Sequence, residues 1–494
     1  MNYIIGARAS AVARAHLRQI TTVPMIFEGA PTDHHFISPS PTGKPLHKVL
    51  AVKDARVVAQ LCERATKGFL LWKAMSVKEK LGIYDNIICQ LEALKDELIQ
   101  AHVEIGNPMY MAEFNYYGTL DNIRHYRSIL DTRPAGKMPV QNVSSQSTDE
   151  ISMVVNEPFG PVLSIAAWNA PLILAARAIF APLTAGCSVI VKSSDLSARI
   201  AHLIVQALLD AGVPKDVLTL VHCESSRSKE IVEALIANRN VKKVNFTGST
   251  RVGSEIAAVA GKHIKPVLLE LGGKNCSIIL DDVEDLENAL RSSLWASWAH
   301  KGQICMCTDL IFVSEKKYPQ TVKILQKIAT ETIANDKTLA MPQRTAAHAE
   351  SGKKLISEAL QQGAKLLAGT LDFSATNKFA PVILTDVTPE MKIYTTETFA
   401  PVVCLVKYKD VASVADKVNA LDHGLKCSIW TSQGLAAYKL AGQIDCGSVH
   451  VNRPTVLDEP HLPHGGTNKS GYGRFNSHWG VSEFQYPKLL TIKV

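Results

Sequence analysis

Along most of the chain, apolar positions alternate between helical spacing and short continuous runs. Between 75 and 101, Leu81, Tyr84, Ile87, Ile88, Leu91, Leu94 and Leu98 recur at helical spacing and predict an amphipathic helix. Strand-turn-helix units follow. A strand over 162–166 runs into Trp168-Asn169, one over 188–191 into Lys192, and one over 241–246 into Thr247-Gly248. A second unit starts after Glu270, with a helix over 288–299 and a strand over 311–313. Such alternation predicts α/β layers with mostly parallel sheets, which bind ligands at the carboxyl ends of their strands. Two β-rich pieces, 150–155 and 489–494, stand outside the alternation. They are expected to pair with a further strand, including one from another chain.

The chain has 494 residues, more than one core can organise, so two or three domains are expected. Its longest apolar stretch, 165–191, contains Asn169, Pro171, Arg177 and Pro182. It reads as a buried helix and strand, not as a membrane span. The net charge of +7 is spread without a Lys/Arg block, which argues against a nucleic-acid partner. Ten cysteines include no CxxC pair and read as reduced thiols in a reducing compartment, so the sequon Asn245-Phe246-Thr247 is expected to stay unmodified. Residues 1–27 carry Arg8, Arg14 and Arg18 and no acid. They are read as a surface helix ahead of the first strand, with a mitochondrial presequence as the alternative. The expected location is cytoplasmic, the mitochondrial matrix being the alternative.

Two segments carry the chemistry. Glu270-Leu271-Gly272-Gly273-Lys274 closes an apolar run, and Gly302-Gln303-Ile304-Cys305 follows further on. A thiolate can attack a carbonyl carbon, and a carboxylate can then activate water against the acyl-enzyme. Glycines let backbone approach a flat ligand where a Cβ would clash. Burial of Glu270 without a partner would raise its pKa and make it a better base near neutrality. No GxGxxG occurs; a glycine turn, Phe246-Thr247-Gly248-Ser249-Thr250-Arg251-Val252-Gly253, stands between strand and helix instead.

Together these motifs resemble the NAD(P)-dependent aldehyde dehydrogenase superfamily, from about residue 25 to residue 490. The resemblance implies an α/β fold: a Rossmann-type cofactor domain (1–140 and 160–270), an α/β catalytic domain (271–480) and a small β oligomerisation arm (141–159 and 481–494). It implies Cys305 as nucleophile, from the family's GQxC motif, with Cys307 a spectator. Glu270 of ELGGK is the implied general base, and Asn169 with the Cys305 N–H the implied oxyanion hole. Implied cofactor contacts are Trp168, Lys192, Asp195, Gly248, Ser249, Gly253, Leu271, Gly272, Glu397 and Phe399. Asp195 stands where relatives have glutamate; a carboxylate there accepts from a ribose 2′-hydroxyl and repels a 2′-phosphate, so NAD is expected and NADP is the alternative. Ala400 replaces the glycine of ExFGPV, and His464 stands within the segment that usually reads PFGG.

Arg177 lies eight residues beyond Asn169, about 80° around a helix axis, and could line the same pocket. The run around it, Asp458-Glu459-Pro460 and Gly471-Tyr472-Gly473-Arg474-Phe475 resemble the salicylaldehyde and vanillin dehydrogenase branch. The implied substrate is an aromatic or bulky aldehyde, with Arg177 on a phenolic or carboxylate oxygen or else in a structural salt bridge. A biosynthetic-pathway aldehyde is one such substrate. His461, His464, His34 and His35 read as loop histidines, and no metal is expected. A homodimer or homotetramer is expected, without membrane attachment. A CoA-acylating relative and a catalytically silent binding protein on the same scaffold are the alternatives.

Overall fold

The computed structural model describes residues 20–132, 136–137, 150–378 and 380–493. The expected N-terminal surface helix or presequence therefore lies largely outside the described residues, which open with the strand Thr21–Val23. Two large sheets dominate. In the first, six strands run in the order Gly471–Tyr472, Val267–Glu270, Lys243–Thr247, Val162–Ile165, Val189–Lys192 and Leu218–Val221. All pairings are parallel except that of the short Gly471–Tyr472 edge. From Val162–Ile165 the chain winds outward to Leu218–Val221, then returns to the other side as Lys243–Thr247. The strand order thus reverses there, opening a crevice at the carboxyl ends.

The second sheet has seven strands, in the order Lys365–Gly369, Val382–Thr385, Val402–Tyr408, Thr308–Ser314, Asn275–Ile279, Lys426–Trp430 and Ser448–Val451. Only the Lys365–Gly369 edge is antiparallel. Each sheet is covered on its faces by helices. Leu163, Ile190 and Val244 pack on one side of the first sheet, and Val162, Val189 and Leu218 on the other. Burial on both faces explains why these strands read as continuous apolar runs.

The link between the sheets positions the chemistry. Glu270 ends a strand of the first sheet, and Asn275 begins a strand of the second. The segment 271–274 is therefore the junction. Cys305 lies just ahead of Thr308–Ser314, whose first residue pairs with Asn275. Carboxyl ends of one sheet thus face amino ends of the other.

Two local readings are refined and one holds as expected. The helix expected over 75–101 is two helices, Val77–Ala93 and Lys95–Glu104, with Leu94 outside helical geometry between them. The long apolar stretch is the helix Pro171–Ala185 and the strand Val189–Lys192, almost wholly buried. Among the described residues no helix is long and apolar enough to cross a membrane. The two β-rich arms pair with each other: Gln485–Lys493 runs antiparallel to Glu150–Pro158, and Gly136–Lys137 extends the sheet. Strand periodicity reveals an unsatisfied edge, but not which strand satisfies it.

Candidate active site

Cys305 sits at the end of a strained approach. His300, Lys301 and Gly302 all adopt left-handed backbone, at φ 50°, 59° and 74°. Gly302 is required there twice over, because a Cβ would lie 2.0 Å from the Ala400 carbonyl oxygen. The backbone N–H of His300 donates no further than Tyr110, whose hydroxyl accepts it at 3.0 Å. The amide of Asn275 then holds the turn, donating to the carbonyls of Cys305 at 2.8 Å and Cys307 at 2.9 Å. Asn169 donates to the Gln303 carbonyl at 3.0 Å, tying the helix Pro171–Ala185 to the cysteine loop.

Cys305 and Glu270 meet on the floor of an inner cavity of about 200 Å³, which Trp168, Asn169, Leu174, Gly248, Ser249, Leu271, Gly272, Glu397 and Phe399 also line. Cys305 Sγ, a Glu270 carboxylate oxygen and a His464 ring nitrogen lie within 4.8 Å of one another. Burial, then the Glu270 charge, pushes the Cys305 thiol well up, so the resting sulfur carries its proton. Burial also acts to raise the Glu270 carboxyl, but a His464 ring protonated on Nε2 and the Cys305 thiol outweigh it and hold the group below its ordinary value. The expectation of a partnerless, high-pKa base is thereby corrected: Glu270 is a buried carboxylate with partners. A thiol must lose its proton to act as a nucleophile, and the carboxylate beside this one is Glu270.

An outer cavity of about 580 Å³ continues from this floor, sharing Ala167, Trp168, Thr247, Gly248, Ser249 and His348 with it. Lys192 lines it, with Ser194 and Leu196. The helix Thr250–Lys262 points its N-terminus into the cleft, capped by Ser249, whose hydroxyl accepts from Val252 N–H at 3.4 Å. Such a terminus, carrying free N–H groups and a partial positive charge, suits a pyrophosphate. A Cβ on Gly248 would collide with the Phe246 ring, and one on Gly272 would lie 2.2 Å from Glu397 Oε2. The residues therefore fit a dinucleotide laid along the crevice. Glu397 accepts from Gly273 N–H at 3.2 Å, and burial, with Asp309 adding to it, pushes its carboxyl up to about 8.

Two expected cofactor residues stand back from the cleft walls. Gly253 packs on Leu271, where a Cβ would approach within 2.4 Å, so it sets helix-to-strand distance. Asp195 is half-buried beside the lining residues Ser194 and Leu196, and its carbonyl accepts from Ser38. Arg177 is 3% exposed and ion-pairs with Asp458, lying over the Phe475 ring at 5.7 Å. Burial would raise the Asp458 carboxyl, but Arg177 and then His464 hold it well below the usual range.

Sequence reasoning overlooked His348 and mistook His464. His348 stacks near Trp168, centroids 5.0 Å apart, and a single helical histidine gives no warning of that. His464 is no loop histidine. It is 1% exposed, with Nε2 3.5 Å from Glu270 Oε1. Its backbone exchanges hydrogen bonds with Phe475, so the returning C-terminal segment carries it onto the Glu270 strand. The departure from PFGG was the signal.

Known proteins show the same arrangement of chain. The aldehyde dehydrogenase family model matches residues 27–490. Salicylaldehyde dehydrogenase from Pseudomonas sp. (strain C18) is 34% identical over 90% of this chain and 90% of its own length. Vanillin dehydrogenase from Pseudomonas sp. (strain HR199 / DSM 7063) is 33% identical over 95% of this chain and 98% of its own. The crystal structure of a salicylaldehyde dehydrogenase from Pseudomonas putida G7 complexed with salicylaldehyde superposes with a TM-score of 0.90 at 30% identity, covering 96% of this chain and 99% of that one. The thiol, the carboxylate and the dinucleotide-shaped crevice thus stand on a shared scaffold, and the chain belongs to the aldehyde dehydrogenase family, oxidoreductases that act on aldehydes with a nicotinamide cofactor.

Proposed function

We propose that this enzyme oxidises an aromatic or bulky aldehyde to its carboxylic acid with NAD, by way of a thiohemiacetal and a thioester on Cys305. The observation that carries the reading is the meeting of Cys305 and Glu270 on one cavity floor, continuous with the crevice. Glu270 removes the thiol proton as sulfur adds to the carbonyl carbon. Asn169 and the Cys305 N–H are assigned to the resulting oxyanion, a contribution of about 2.7–4 kcal/mol per donor. The nicotinamide, when bound, supplies the hydride acceptor. Glu270 then activates water against the thioester, releasing the acid.

The aromatic substrate is supported by the similarity to salicylaldehyde and vanillin dehydrogenases. For Arg177 the substrate role rests only on an Nε without a hydrogen-bond partner among the described residues, since the side chain is buried against Asp458 and lines neither cavity. The choice of NAD over NADP rests on the Asp195 carboxylate, which stands just behind the lining residues Ser194 and Leu196. The retained Glu270 opposes the CoA-acylating alternative, in which CoA replaces water. A homo-oligomer is supported by the arm sheet, where Leu489 is 64% exposed and Ile492 48%. The ten free thiols support a reducing, cytoplasmic setting.

An aldehyde panel followed at the NADH absorbance band, with the product identified in the presence and absence of CoA, tests the reading. NADH formation and free acid without CoA are expected, fastest with aromatic aldehydes. No NADH from any aldehyde would overturn the reading, and acyl-CoA as the sole product would replace it.

A further inference from the structure

Each turnover asks Glu270 to accept a proton twice: once from the Cys305 thiol, and again from the attacking water. Between the two it must be emptied. The cluster behind it offers a place for that first proton. His464 Nε2 lies 3.5 Å from Glu270 Oε1, and its Nδ1 lies 3.6 Å from Asp458 Oδ1. Asp458 is itself fixed, by Arg177 on one oxygen and by Asn476 Nδ2 at 2.8 Å on the other. A phenylalanine would fill the same volume and accept nothing.

We propose that His464, with the Asp458 carboxylate beside its Nδ1, is a proton-relay residue that resets Glu270 between thiol activation and thioester hydrolysis. This rests on the roles given above to Cys305 and Glu270. With the neutral ring's proton assigned to Nδ1, 3.6 Å from Asp458, the Nε2 lone pair faces Glu270, and it is the proton arriving on Nε2 that supplies the donation holding Glu270 ionised. As the S–C bond forms, the thiol proton moves to Glu270, and from there to Nε2. The imidazolium then lies between two carboxylates, and Glu270 is ionised again once the thioester exists. Glu270 next takes one proton from water while the hydroxide forms its bond to the acyl carbon. The C–S bond breaks, and Glu270 returns that proton to the Cys305 sulfur. The proton on His464 is the one that the overall oxidation releases to solvent.

The charges around the ring come from several elements: Glu270, Asp458, Arg177, Lys426 and His450, with the Cys305 thiol beyond. Burial, opposed by Asp458, holds the ring below the ordinary histidine value, so it is empty before turnover near pH 7.

The test uses the full chain and the best aldehyde of the panel. His464→Phe and His464→Gln should keep a first-turnover burst of NADH, then slow about tenfold or more in the steady state. In His464→Gly, added imidazole should restore the steady rate in step with its free-base concentration. Steady rates within about twofold of the native enzyme in the Phe and Gln variants would overturn the relay. So would loss of the burst together with the steady rate, or a slow Gly variant that imidazole does not rescue. If the native enzyme forms no NADH with any aldehyde, the functional reading fails first and the relay falls with it.

Discussion

Asn275 spends its whole side chain on the neighbourhood of Cys305: it donates to the Cys305 carbonyl at 2.8 Å and to the Cys307 carbonyl at 2.9 Å, and accepts from Lys426 N–H at 3.0 Å. Backbone at the start of three adjacent segments is therefore held by one amide. Asn275→Ala should cost about 1–3 kcal/mol of stability, because buried groups lose their partners. Denaturant unfolding measures that loss. Aldehyde turnover should fall further than the population of folded enzyme explains; unchanged turnover would show that the loop keeps its shape unaided.

The two neighbouring thiols should behave differently. Cys305→Ala should abolish NADH formation, while Cys307→Ala keeps most of it. Cys307 is buried in an apolar cluster, and burial pushes its thiol up far from reactivity. Steady-state rates and thiol-specific labelling of the two variants decide this. An inactive Cys307→Ala with an active Cys305→Ala would reverse the assignment.

Glu270→Gln should slow both the first-turnover formation of NADH and the steady rate, because the amide accepts neither the thiol proton nor the water proton. Rapid mixing resolves the two phases. Steady turnover equal to that of the native enzyme across the pH range would remove Glu270 from the mechanism.

Arg177 and Asp458 form a buried pair, so the single change should cost more than the double. Arg177→Leu leaves an uncompensated carboxylate and should destabilise by about 3–5 kcal/mol. Arg177→Leu with Asp458→Leu should recover much of that loss. Arg177→Leu alone should lower the ratio of turnover on aromatic aldehydes bearing a phenolic oxygen to that on simple aliphatic aldehydes, a ratio that does not depend on how much enzyme is folded. An equal loss on both classes would confine Arg177 to a structural part.

The Glu397 carboxyl, pushed up from 4.5 to about 8 by burial, gives the cofactor-free protein a pH signature. Between those values the native state holds a proton that the unfolded state has lost, so stability falls as pH rises from about 4.5 to about 8. Glu397→Gln removes the titration and should flatten that slope. Melting temperatures of the two proteins across this window provide the comparison; parallel curves would count against a protonated Glu397.

Much of this molecule was written in local pattern. Strand-turn-helix alternation predicted parallel α/β layers, since burial on both faces demands continuous apolar strands whatever their neighbours. Cys305, Glu270 and Gly272 stood out in the sequence because covalent chemistry and close backbone approach restrict residue type, and the fold brings all three to one cavity. Which distant segments meet was decided by the tertiary structure alone. The arms 150–155 and 489–494 announced unsatisfied edges, and only the fold showed them paired to each other. Arg177 read equally as a substrate contact or as half of a salt bridge, until a loop brought Asp458 against it. His464 looked like an ordinary loop residue until the antiparallel return of Gly471–Tyr472 onto the Glu270 strand carried it to the base. The protonation of Glu270 turned on that same return. A pKa depends on desolvation and on charges within a few ångströms, and those distances are set by long-range packing that no local spacing records.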